Sequence, residues 1–148
     1  HADALHIDLW LNGKNVLRDG GSYSYSTEID KYNYYKGTFS HNTIIFDGKS
    51  QMPSISKFLF GSWLKESHFK LFETSEKLTI SSGYRNSCGV IHKRTIHIYK
   101  SKVEVFDHID GNYKNAKLQW RILNEDWKIF KSMDDSIKIN FIEKKRFY

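Results

Sequence analysis

Between Ala4 and Leu11 apolar and polar residues alternate. Leu5, Ile7, Leu9 and Leu11 fall on one side of an extended chain, and Ala4, His6, Asp8 and Trp10 on the other. This period of two predicts a half-buried strand. Asn12-Gly13 then supplies the positive φ angles of a tight hairpin turn, and Val16-Leu17 begins a returning strand that ends at Asp19-Gly20-Gly21. Two more strand-then-turn patterns follow: Asn42-Thr43-Ile44-Ile45-Phe46 before Asp47-Gly48, and Leu78-Thr79-Ile80 before Ser81-Ser82-Gly83. Val90 to Tyr99 alternates again and Val103-Glu104-Val105-Phe106 leads to Asp110-Gly111, which predicts a second antiparallel pair. Leu118 to Leu123 and Ile137 to Ile142 complete the series, the last with Ile137, Ile139 and Phe141 on one face. No segment holds a 3.6-residue period over helical length.

The fold class predicted is therefore all-β. Antiparallel strands with one dry face need a second layer, so a two-sheet β-sandwich is expected, with a closed barrel as the alternative. Composition agrees: nine Tyr, ten Phe and four Trp suit half-buried pleated surfaces better than helices. A chain of 148 residues buries roughly two thirds of its unfolded surface, enough for one core. Pro53 is the only proline and no low-complexity linker divides the sequence, so residues 1–148 are expected to form one domain. The chain opens on His1 rather than Met, as a segment cut from a longer protein would.

Charge narrows the partners only coarsely. The net charge of +6 comes from scattered Lys and Arg, with Lys144-Lys145-Arg146 as the one short basic run. Such a field suits a polyanion: nucleic acid, a membrane surface or an acidic polysaccharide. No zinc-finger spacing, RNP-type strand or basic helix supports nucleic acid. No stretch approaches the length of a membrane span. Cys88 is the only cysteine, which excludes an internal disulfide and a cysteine-based zinc knuckle; it is expected to be a small buried apolar residue.

Seven histidines are present, none in a helical metal motif. His1, Asp19 and His41 nevertheless each fall at the edge of a predicted strand. Two imidazoles and a carboxylate are a reasonable donor set for zinc with one position left open. The alternative is that Asp19 only shapes the turn at Gly20-Gly21 and His41 ends a strand. Tyr23, Tyr25, Tyr32, Tyr34, Tyr35, Asn42 and Gln51 could stack on sugar rings or bond to hydroxyls, although Tyr is also an ordinary strand residue. Lys36 and Arg18 are candidates to face an acidic substrate; as isolated charges they read as solvated.

His1-Ala2-Asp3-Ala4-Leu5, Leu17-Arg18-Asp19-Gly20-Gly21 with Tyr25, and Tyr34-Tyr35-Lys36-Gly37-Thr38-Phe39-Ser40-His41-Asn42-Thr43 through Asp47-Gly48 and Gln51 resemble, in order and spacing, the heparinase II/III-like family. The similarity continues in His92-Lys93-Arg94-Thr95 and from Val103 to Gly111, and fades after Leu123. The resemblance implies a many-stranded supersandwich preceded by an (α/α) toroid in the same protein, with the cleft between them. It implies β-elimination on a uronic-acid polysaccharide, outside the cytoplasm in the periplasm or as a secreted protein. It places zinc or another divalent metal on His1, Asp19 and His41; within the aromatic and amide-bearing stretch, Tyr25, Tyr35, Asn42 and Gln51 are the candidate sugar-binding residues.

The same resemblance implies that the principal acid and base come from outside this chain. The family's Tyr, with its accompanying His or Asn, belongs to the helical domain, and a further histidine stands two positions before the residue that matches His1. No catalytic residue is therefore assigned, and the chain alone is expected to be inactive. Heparan sulfate, alginate and bacterial surface glycans all fit as substrates. The competing expectation is a noncatalytic carbohydrate-binding or structural β-sandwich.

Overall fold

The computed structural model describes residues 1–24 and 26–124, together with the backbone of Trp127–Lys131 and Ile137–Phe141. Tyr25 and the run from Lys144 to Arg146 lie outside the described residues. In chain order the elements are β1 (Leu9–Leu11), β2 (Lys14–Leu17), α1 (Ile29–Lys36), β3 (Ile44–Phe46), β4 (Ser54–Ser56) and β5 (Leu59–Phe60). They continue with β6 (Lys65–Glu73), β7 (Lys77–Arg85), β8 (Ile91–Tyr99), β9 (Val103–Asp110), β10 (Ala116–Leu118), β11 (Trp127–Lys131) and β12 (Ile137–Phe141). The architecture is an all-β sandwich. Every pairing is antiparallel, and among the described residues the sheets stay open rather than closing into a barrel.

The main sheet runs β6-β7-β8-β9. Its inward rows place Arg94 opposite Asp107 and His92 between Tyr84 and Ile109. On the outward face Ser81 Oγ lies 2.9 Å from both His68 Nε2 and Thr95 Oγ1, which ties three strands together. These cross-strand bonds carry β7 through Ser81-Ser82-Gly83 to Arg85, where a turn was expected. The chain reverses instead at Asn86, whose Oδ1 accepts the N–H groups of Cys88 and Val90. Cys88 sits exposed in that turn, contrary to the buried position expected of it.

The alternation from Ala4 to Leu11 yields a strand only at Leu9–Leu11. Upstream, His6 N–H donates to Asp3 O at 2.9 Å and Leu5 takes φ 62°, a left-handed value that a leucine adopts only under outside constraint. That constraint is visible. Thr43 Oγ1 and Gln51 Nε2 both donate to Ala4 O at 3.0 Å, and an Arg94 N–H donates to Leu5 O at 2.6 Å. Hydrogen bonds from three distant residues thus override a local pattern. The Asn12-Gly13 hairpin forms as expected, with φ of 48° and 76°.

The helix α1 was not anticipated. It is eight residues long and buries only Tyr32 and Lys36, so a single i, i+4 pair faces inward and no repeat can show. β3 pairs with β10, and the remainder of the expected Leu118–Leu123 strand is reduced to a bridge between Leu17 and Ile122. The apolar core is small: Ile44, Phe46 and Val90 with Ile109, Tyr113 and Ala116 packed on it. Beside it lies a buried polar layer of Thr38, Ser40, His41, Asn42, Thr43, His92 and Arg94. This layer carries the candidate site.

Candidate functional site: an imidazole and carboxylate cluster

Gly20 sets the site's geometry. Its N–H donates to Ser40 O at 3.0 Å, and a Cβ there would sit 2.5 Å from Ser40 Cβ, so only glycine lets the two segments touch. The neighbours on either side, Asp19 and His41, are thereby brought together. Asp19 Oδ2 lies 2.7 Å from His41 Nδ1, while Asp19 Oδ1 accepts the Gly21 N–H at 2.5 Å. His41 is fully buried. His6 Nε2 approaches the same Asp19 oxygen at 3.5 Å, and the His1 ring lies 5.2 Å from that of His41.

The hydrogen bonds decide the tautomers. Asp19 as a carboxylate accepts the His41 Nδ1–H, which leaves a lone pair on Nε2. That atom is buried with no hydrogen-bond partner among the described residues. His6 is the reverse case: its Nδ1 accepts the Asn42 backbone N–H at 2.8 Å, so the neutral ring carries its proton on Nε2, toward Asp19. Burial is the main reason that the His6 pKa falls below its ordinary value, which keeps the ring neutral. For Asp19, desolvation pushes the pKa upward, but the Gly21 N–H and His41 outweigh it and the net shift is downward.

A divalent metal fits these donors. Ligand atoms of His1, Asp3 and His41 lie within 4.8 Å of one another, as do those of His6, Asp19 and His41. The free Nε2 lone pair of His41, backed by a carboxylate on Nδ1, is the arrangement that metal-binding histidines commonly show. His1 and Asp19 both approach His41, but in different groups: His1 with Asp3, and Asp19 with His6. Asp3 and His6 are the residues that sequence reasoning missed. Asp3 stands in the His1-Ala2-Asp3 run and was readable there; His6 was assigned to the polar side of an expected strand that forms only from Leu9 onward.

Asn42 and Gln51 lie in the buried layer and use their amides within the protein. Asn42 Nδ2 donates to Ile7 O at 2.8 Å and its Oδ1 accepts the Arg121 N–H; Gln51 pairs with both backbone groups of Ala4 and with Tyr84 Oη. They place the site rather than line it. Arg94 does the same from the main sheet, bridging Leu5 O and Asn42 O at 2.6 Å each while its Nε and second amino group bind Asp107. His92 Nε2 completes that network, 2.7 Å from Asp107 Oδ1.

The tyrosines separate into two sets. Tyr23 and Tyr35 stack with ring centroids 5.2 Å apart at 7°, and Tyr34 meets Tyr35 edge-on. With Asp30 and Lys31 they line an open groove of about 480 Å³. Tyr32 turns inward instead and donates its hydroxyl to Lys57 O. Arg18 is exposed, as expected, but Lys36 is buried.

The fold and site together define an open β-sandwich domain with a histidine and carboxylate centre built on its amino-terminal segment. The chain belongs to the heparinase II/III-like family: residues 1–140 match the description "Heparinase II/III-like, C-terminal". It is also similar to a heparin-sulfate lyase of Bacteroides stercoris, 28% identical over 116 residues, which is 74% of this chain and 16% of that protein. The chain thus spans a small part of that relative's length. No solved structure matches.

Proposed function

We propose that this chain is the β-sandwich part of a polysaccharide lyase that cleaves a uronic-acid glycan by β-elimination, completed by an upstream helical toroid. The observation that carries the reading is His41 held by Asp19 beside His1, in a chain whose relatives include a heparin-sulfate lyase. In such a reaction a base takes the proton beside the uronate carboxylate, the bond to the departing glycosidic oxygen breaks, a double bond forms in the ring, and the departing oxygen is protonated. Of the expected set, His1 and His41, with Asp3, would hold zinc or another divalent metal, and Asp19 would orient His41 through its Nδ1. When bound, the metal supplies positive charge beside the polyanionic substrate.

This chain's own residues bind and orient. The stacked Tyr23 and Tyr35 offer a flat face for a sugar ring, and burial favours the neutral form of His6, whose Nε2 lies 3.5 Å from Asp19 without a hydrogen bond. The site works outside the cytoplasm, in the periplasm or beyond. The test joins the chain to its native upstream segment and follows the ultraviolet absorbance of unsaturated uronate ends with heparan sulfate, alginate and other uronate polymers. Turnover on one of them is expected. Absence of absorbance on every uronate polymer, with the joined protein folded, would overturn the reading.

The tyrosine groove also supports a second reading, a noncatalytic glycan-binding sandwich. It predicts glycan binding that is indifferent to His1→Ala and His41→Ala. Under the first reading those variants lose a stoichiometric metal.

A further inference from the structure

Lys36 closes α1 with its side chain turned inward, only 6% of the residue remaining exposed. Its ammonium donates to Ser54 Oγ at 2.9 Å, Ser56 O at 2.6 Å and Lys57 O at 2.9 Å. The rings of Phe60 and Tyr32 lie 4.3 and 5.6 Å from Nζ. Every one of these partners is neutral. Among the described residues no carboxylate pairs with Lys36, a rare state for a buried ammonium, because burial disfavours the charged form and only an opposite charge offsets that well. Burial accordingly lowers its pKa.

The cation is not sealed off. Lys36 forms part of the wall of a cavity of about 170 Å³ shared with His1, Ser22, Lys57, Phe58 and Phe60, and no Asp or Glu lines it. Two lysines, Ser22, Tyr32 and His1 thus line a small space beside the candidate metal centre. The space is below the roughly 300 Å³ at which pockets for whole drug-sized ligands begin, so it suits one charged substituent rather than a length of chain.

We infer that this cavity is an anion subsite that takes the carboxylate or sulfate of an acidic sugar beside His1. The inference rests on the acidic-glycan reading above and adds where the charge is recognised. The N–H bonds of Lys36 are already used, so Lys36 holds the anion through its field. Direct hydrogen bonds come from Ser22 and Lys57 at the mouth, and exposed Phe58 forms an apolar wall. The missing counter-charge of Lys36 is the ligand's.

The test is a calorimetric titration of the metal-free chain with a glucuronate-containing oligosaccharide, its carboxyl-reduced counterpart and a sulfated counterpart. The charged sugars should bind about tenfold more tightly than the reduced one, a preference that shrinks with salt. A gain on going from carboxylate to sulfate identifies sulfate as the group taken; its absence identifies carboxylate. Lys36→Met should reduce the charge preference to less than about twofold. Should that variant fail to fold by circular dichroism, Lys57→Glu decides, since its side chain is exposed and its carbonyl remains for Lys36. A preference that survives in the folded variants, or none in the unaltered chain, overturns the subsite. Turnover by the joined protein separates the two readings. Lyase activity with an unchanged KM in Lys57→Glu overturns the subsite alone, whereas charge-selective binding without turnover keeps the subsite and removes the lyase.

Discussion

At the scale of single residues, the 2.7 Å contact between Asp19 and His41 determines which imidazole nitrogen can act. With Asp19 on Nδ1, the lone pair is on Nε2; with an amide there, the ring is free to adopt the other tautomer and to turn. Asp19→Asn should therefore weaken metal binding by about 10- to 100-fold, while His41→Ala abolishes it. Competition against a chromophoric chelator reads both, and an unchanged affinity in Asp19→Asn would show that the carboxylate has no hold on the metal. Arg94 is a different kind of residue. Its guanidinium satisfies Asp107 and the carbonyls of Leu5 and Asn42, so Arg94→Met leaves a half-buried carboxylate with His92 as its one remaining partner in this network. The loss expected is about 3–5 kcal/mol in urea unfolding. Equal stability of the variant and the parent chain would refute the assigned bracing role.

At the scale of elements, the contact of the Asp19-Gly20-Gly21 turn with Ser40 is what makes a site out of separate loops. Gly20→Ala would push a methyl group to 2.5 Å from Ser40 Cβ, and the backbone must give way. A destabilisation of about 1–3 kcal/mol is expected, along with loss of the metal stoichiometry that His41 and Asp19 support. Denaturation and metal analysis on the same sample check both. The strands and their turns were legible because alternation and Asn-Gly or Asp-Gly pairs are local signals, and β8, β9 and the first hairpin form near where those signals stand. The start of the chain was not. The left-handed φ of Leu5 depends on Thr43, Gln51 and Arg94, residues far along the sequence that donate to Ala4 and Leu5. His6 followed the same fate, its role hidden in an alternation that the fold cancels. The proximity of Asp19 to His41 was readable only as two polar residues at strand edges, since the contact passes through Gly20 and Ser40. The burial of Lys36 left no local trace, because its acceptors belong to the β4–β5 hairpin, which no periodic pattern announces.

At the scale of the whole molecule, the sandwich is held across its middle by polar contacts as much as by oil, and this makes its stability depend on pH. Asp107 lies between His92 and Arg94, facing the Leu5 and Asn42 carbonyls through Arg94. Desolvation alone would raise its pKa, but the bonds from His92 and Arg94 prevail and the folded value lies below the ordinary 3.8. The unfolded chain therefore binds a proton at a higher pH than the folded one. The stabilisation is fully present above 3.8, and it is lost as the pH falls from there through the depressed folded value. Unfolding followed by tryptophan fluorescence in chelator-containing buffers should show a stability that falls steeply on the acid side of that value. Asp107→Asn, already lacking the charge, should start lower and lose less over the same interval. An equally steep acid decline in Asp107→Asn would place the titrating group elsewhere and remove the buried network from the account of how the two layers are joined.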